Sequence, residues 1–215
     1  MKRSFAPLLA LSLFLSAAVA GAQGTPPAAQ QAPLPPNAWR IDKSHSELSF
    51  QIRHLVSRVR GTFREWEGTI TVDDPAKWEQ AAINVKIRTA SIFTDNDRRD
   101  AHLRTSDFFL ADSFPEITFR SIRIERDGDS AKIHGMLTMR GVTRAVVLDG
   151  QFLGRQQTGN GTERVGFEAS TTINRLDYGV AWNRAVEGGG ATLGDDVKID
   201  LTIAATRRTT PASGQ

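Results

Sequence analysis

Asp42, Ser44, His45 and Ser46 fall in one short run and are of the types a hydrolase uses as orienting acid, nucleophile and base. A triad needs geometry, not adjacency. The run equally fits a turn in which Asp42, Ser44 and Ser46 hydrogen-bond the backbone and His45 caps it, and that is the better reading. The histidines, at 45, 54, 102 and 134, sit on different segments without the spacing of a ligand pair, so no metal site is expected. There is no cysteine, which removes thiol chemistry and disulfide staples. Zincin, serine-hydrolase, phosphate-loop and dinucleotide motifs are absent. The glycines at 188–190 precede no phosphate-binding helix and read as a flexible rim loop. Asn160-Gly161-Thr162 matches a glycan acceptor but is better explained as turn chemistry. No catalytic residue and no cofactor is assigned.

The remaining candidates are apolar and aromatic, and strands must position them. From Trp39 to Phe63, Leu48, Phe50 and Ile52 alternate with Ser49, Gln51 and Arg53, and His54 continues the apolar face. A hairpin near Ser57 then returns the chain through Val59, Gly61 and Phe63. Residues 68–72 extend that second strand, with a bulge or twist expected at Trp66 and Glu67. Residues 76–80 make at most a short helical turn. Further alternating runs centre on Val85, Phe119, Leu137, Leu148, Ala169 and Ile199, with hairpin chemistry at Asp127-Gly128 and at 159–161. One segment differs: Thr94-Asp95-Asn96-Asp97 supplies cap chemistry for a helix over residues 98–104, which carries Arg98 and His102 and leads into Phe108 and Phe109.

Eight alternating strands joined mostly by hairpins predict an all-β fold, an eight-stranded antiparallel up-and-down barrel with one short helix capping the barrel. Closure buries the apolar face and removes the sheet edges. A two-sheet sandwich satisfies the same pattern less directly. Phe50, Phe63, Phe119 and Phe167 are core residues if the barrel is filled and ligand-lining if it is hollow. His54 is either a hydrogen-bonded wall residue or a polar contact at a cavity mouth.

The ends bound the domain. A basic start (Lys2, Arg3), an apolar run from Leu8 to Ala20 and small-x-small sites at Ala18 and Ala20 predict a secretory signal over 1–22. Residues 23–38 read as a Pro/Ala/Gln-rich linker, 39–208 as the folded domain and 209–215 as a disordered tail. Loss of Lys2 and Arg3 with the signal takes the formal charge from +3 to +1, and no basic block stands out, so nucleic acid is not an expected partner.

Several further blocks follow one another in order along the chain. They are Ile41-Asp42-Lys43-Ser44-His45-Ser46, Phe50-Gln51-Ile52-Arg53-His54, Ser57-Arg58-Val59-Arg60-Gly61-Thr62-Phe63, Arg99-Asp100-Ala101-His102-Leu103 and Ser106-Asp107-Phe108-Phe109. The series continues with Phe114-Pro115-Glu116-Ile117-Thr118-Phe119, Leu137-Thr138-Met139-Arg140-Gly141-Val142-Thr143 and Arg175-Leu176-Asp177-Tyr178-Gly179-Val180. Taken together these blocks resemble the YceI-like family of periplasmic, polyisoprenoid-binding proteins, from which Leu110 departs, since the family usually carries an acid after the Phe-Phe pair.

The resemblance implies a lipocalin-like barrel holding a long apolar chain, such as an isoprenoid quinone, a polyprenyl phosphate or a fatty amide, without chemistry on it. It implies a periplasmic or secreted location, and it admits transient contact with a membrane surface and a homodimer. On this reading Phe50, Ile52, Phe63, Phe119 and Phe167 form the tube wall. Arg98, His102, Phe108, Phe109, Tyr178 and Trp182 form a cap, and His54, Arg98 and His102 face a polar head. The competing expectations are an envelope lipid hydrolase using His45 or His102 as base, and a stress or interaction module with a filled barrel.

Overall fold

The computed structural model describes residues 35, 37–158, 161–185, 187 and 190–208. The expected signal, nearly all of the linker, the tail, and parts of the 159–161 hairpin and the 188–190 glycine run lie outside the described residues. Alternation resolves into strands β1 (Ala38–Ile41), β2 (Glu47–His54), β3 (Ser57–Phe63), β4 (Trp66–Thr71), β5 (Ala82–Arg88) and β6 (Ile92–Phe93). After the helix α1 (Asp97–Leu103) come β7 (Glu116–Asp127), β8 (Ser130–Met139), β9 (Val142–Gln157), β10 (Thr162–Asn174) and β11 (Leu193–Arg208).

These segments make eight staves. β1 and β2 run one after the other along β11, with Ile41 opposite Ala205 and Leu48 opposite Leu201. β3 pairs with β2 and β4 with β1, while β6 and β5 continue the same order on the far side. β5 is followed by β7, β8, β9, β10 and β11, all antiparallel, and β11 returns to β1 and β2. The barrel is therefore closed and each stave neighbours the next in sequence.

The interruptions have a common cause. Inward residues fall at Trp39 and Ile41 and then at Leu48, Phe50 and Ile52, so the phase of the alternation changes once in between. The 3-10 turn Lys43–His45 absorbs that change. A second change lies between Phe63 and Trp66, both buried, so the break falls at Arg64 and Glu65 and not at the Trp66-Glu67 step expected from the sequence. An extra residue in one strand flips every later side chain to the other face, and a corner is the way to keep both halves facing inward. Cross-strand bonds pin it: Arg64 N–H donates to Ser91 O at 3.1 Å and Arg88 N–H to Glu65 O at 2.8 Å.

A packed cluster containing Trp39, Ile70, Val72, Ile124, Val165 and Ala205 fills part of the barrel end remote from α1. Beneath it the inward-facing carboxylate of Glu163, 3% exposed, accepts from Arg155 and Arg207, and the Arg207 guanidinium lies over the Trp39 ring at 4.6 Å. Burial pushes the Glu163 carboxyl up, but the hydrogen bonds and charges of Arg155 and Arg207 outweigh it and hold it below the ordinary value of 4.5. A depressed carboxyl stabilises the fold fully above that ordinary value, and the contribution is lost as pH falls through the folded-state value. Glu163→Ala should therefore cost about 2–3 kcal/mol at neutral pH, less than a fully buried pair because Arg155 can hydrate. Urea melts of both proteins between neutral pH and about pH 3 should show the difference shrinking with acidification.

Candidate binding cavity

Above the packed end the barrel is hollow. A cavity of about 660 Å³ runs along the axis from Trp78 and Phe152 to Arg98 and Trp182 at the helix end. Its size lies within the range of small-molecule sites. Phe50, Val85, Phe119, Val197, Ile199 and Leu201 all point inward yet stay only partly buried, as they must if a void stands where neighbouring side chains would pack.

Glycines keep the void open. Gly61 lies directly opposite Phe50, and a Cβ placed on it would sit 2.5 Å from the Phe50 ring. Gly135 serves Phe119 in the same way, at 2.4 Å. Both rings therefore lie along the wall over a missing side chain instead of projecting across the tube.

The five wall residues expected from the sequence, Phe50, Ile52, Phe63, Phe119 and Phe167, all line the cavity. Phe63 is the most enclosed of them, with Phe50 at 5.8 Å and Phe109 edge-on at 6.0 Å. At the remote end Trp78, on the 3-10 turn Trp78–Gln80, stands edge-on to Phe167 at 4.0 Å and Phe152 at 5.2 Å. Sequence reasoning missed Trp78; its only signal was an aromatic side chain in an otherwise polar turn.

The helix end is built on α1. Asn96 caps it by accepting from Arg99 N–H at 2.9 Å, and the buried Asp100 carboxylate accepts from Thr94 N–H at 2.9 Å and Thr94 Oγ1 at 2.5 Å. Arg104 donates to the carbonyls of Ala90 and Ile92, at 2.7 and 3.1 Å, so the helix is tied to the strand before it. On this base His102 Nε2 meets Asp107 Oδ2 at 2.7 Å, and its ring stands edge-on to Phe108 at 5.0 Å and Trp182 at 5.2 Å. His102, Phe108, Phe109, Trp182, Arg98 and His54 all border the cavity, and so does Arg184.

Tyr178 does not. It is 2% exposed, belongs to the packed cluster beneath the cap and is absent from the cavity wall. It ends the 3-10 turn Arg175–Tyr178, which turns the ring into the core as Gly179, at φ 71°, reverses the chain. Its place in the expected cap is taken by Arg175, which the sequence reading gave no role. Arg175 donates to the carbonyls of Val180 at 2.5 Å, Trp182 at 3.0 Å and Gly194 at 2.9 Å, and to Asp195 Oδ1 at 3.2 Å. One guanidinium thus organises the loop that carries Trp182.

The Asp42, Ser44 and His45 run is a turn, as expected. Asp42 accepts from Ser44 N–H at 3.1 Å and Ser44 Oγ at 2.5 Å, which holds its carboxyl below the usual range. His45 Nδ1 is 2.9 Å from both Asp42 Oδ2 and Ser44 Oγ. A triad histidine bridges acid and nucleophile through its two different nitrogens. Here one nitrogen faces both, and the group lies off the cavity. Among the described residues no cluster of three or more potential ligands could hold a metal ion.

Residues 39–205 match the model of the YceI-like domain. Protein YceI of Shigella flexneri is 38% identical over 147 residues, 66% of this chain and 75% of that protein. The solved YceI protein of Campylobacter jejuni superposes with a TM-score of 0.65 at 32% identity, covering 78% of this chain and 96% of that one. A domain from Saccharophagus degradans described as polyisoprenoid-binding shares the fold, with a TM-score of 0.56 at 16% identity over 78% of this chain and 97% of its own. By the family match over residues 39–205 and the identity to the Shigella protein, the chain belongs to the YceI-like family.

Proposed function

We propose that the barrel binds and carries or stores a long-chain apolar lipid, an isoprenoid quinone, a polyprenyl phosphate or a fatty amide, without changing its bonds. The observation that carries this reading is the tube itself, walled by Phe50, Phe119, Phe167, Val197 and Ile199 and bordered at the helix end by Arg98, His102, His54 and Arg184. A buried methylene contributes about 0.8 kcal/mol, and association costs about 4–15 kcal/mol. A chain of ten methylenes gains about 8 kcal/mol on that scale, so short chains bind weakly and long ones well. The cationic residues at the mouth suit a polar or anionic head.

The Saccharophagus domain's described ligand class agrees with this reading. The hollow interior counts against a barrel filled by its own side chains, and the geometry at Asp42 to His45 counts against hydrolysis there. The basic start and apolar run of residues 2–20 support a periplasmic setting, in which the tube would keep the chain away from water.

Native mass spectrometry of the protein from its own envelope, followed by organic extraction, tests the proposal. A stoichiometric long-chain species is expected. Repeated recovery of empty protein that also fails to take up added quinone or polyprenyl chains would overturn it.

A further inference from the structure

The hairpin joining β2 to β3 breaks three local rules at once. His54 pairs with Ser57, which leaves a two-residue turn of Leu55 and Val56. Such turns favour Asn, Asp and Gly, yet Leu55 occupies the left-handed region at φ 53°. Both turn residues are apolar and exposed: Leu55 is 42% accessible and Val56 completely so. Behind the tip, Arg53 lies directly opposite Arg58, a like-charge cross-strand pair of the kind that destabilises a hairpin. Arg60 extends the cationic face opposite Gln51.

None of these three arginines has an ion-pair partner among the described residues. Arg53 reaches its own turn at Leu55 O, 3.3 Å, and Arg58 reaches Gln51 Oε1, 3.3 Å. The neighbouring β11 carries Asp195 and Asp196, and Asp195 is engaged by Arg175. The tip is held firmly despite its sequence, since Leu55 N–H donates to Thr192 O at 2.8 Å.

From this juxtaposition we propose that the hairpin tip docks the protein on an anionic lipid bilayer, with Leu55 and Val56 entering the interfacial zone and Arg53, Arg58 and Arg60 meeting the headgroup phosphates. An apolar tip ringed by unpaired cations has the two terms that bind a peripheral protein to such a surface, apolar burial and charge attraction. Local choices that cost the free protein and become favourable against a partner mark a functional surface. The tip follows His54 on the same strand, so docking sets the helix end of the cavity, with Arg98 and Arg184, toward the bilayer. The docking is independent of what the cavity holds.

Vesicle flotation of the mature chain, without the expected signal over residues 1–22, tests it, with vesicles containing phosphatidylglycerol set against vesicles of phosphatidylcholine alone. The protein should float with the anionic vesicles and leave them at high salt, where the attraction is screened. Val56→Asp should weaken binding about tenfold or more by removing one buried aliphatic side chain. Arg53→Gln with Arg58→Gln should abolish the preference for anionic vesicles while leaving the melting temperature equal or higher. Wild-type protein that ignores anionic vesicles would overturn the proposal and leave an acidic protein surface as the occupant. Equal binding by wild type and both variants would overturn it too. The variants change only the exposed tip and read surface binding, not what the cavity holds, so a failure here leaves the lipid-carrier reading intact.

Discussion

Ala169→Trp should stop uptake of long chains while the barrel stays folded. Ala169 sits midway along β10, opposite Gly150 on one side and Leu201 on the other, and faces the cavity. An indole added there enters a void, so the strain that usually follows small-to-large changes in a packed core does not arise. What it removes is tube length. If the ring excludes five methylenes, binding weakens by about 4 kcal/mol, or about a thousandfold. Fluorescence titration with a series of chain lengths reads this directly: the longest probes should lose most and the shortest little. Undiminished binding of the longest chain would mean that the lipid lies elsewhere.

Arg175→Met should open the cap. The side chain is 4% exposed, and burial lowers its pKa while the Asp195 carboxylate partly offsets that. Methionine fills the volume but leaves the carbonyls of Val180, Trp182 and Gly194 without their donor. Breaking a buried, hydrogen-bonded charge site of this kind costs about 3–5 kcal/mol. Lysine should not rescue it, because one ammonium cannot reproduce the planar fork that reaches several acceptors. Thermal melts should fall, and hydrogen exchange should accelerate across the loop from Val180 to Leu193 more than in β7 or β8. A drop in stability with the loop still protected would show that Arg175 supports the fold without shaping the cap.

The strands were legible because period-two alternation is a local property: Leu48, Phe50 and Ile52, or Val197, Ile199 and Leu201, declare an inward face without reference to anything distant. Closure followed from the number of strands and their short connections. α1 was legible from the cap chemistry of residues 94–97 to within one residue at each end, though not which of the four residues caps it. What the pattern hid were the places where the phase slips. A corner at Arg64 and Glu65 leaves both halves looking like good strands, and only the pairing of β3 with β6 and β4 with β5 shows where the bend falls.

The wall of the cavity was legible for the same reason as the strands, but its emptiness was not. Phe119 would alternate identically in a solid core. Tyr178 turned out to be core and Arg175 to border the cavity, because the placing of a loop side chain depends on contacts across 5 to 20 residues, and neither residue carries a local signal of it.

The glycines beneath the rings of Phe50 and Phe119 have a consequence for how this barrel can diverge. Neither Gly61 nor Gly135 borders the cavity, yet a single methyl on either would press on the ring it shelters. The bore is thus regulated from behind the wall, by atoms that are missing. Cross-section can shift by one substitution that leaves every cavity-lining residue in place, and on the proposed lipid-carrier reading that would bias the choice between a slim saturated chain and a methyl-branched one.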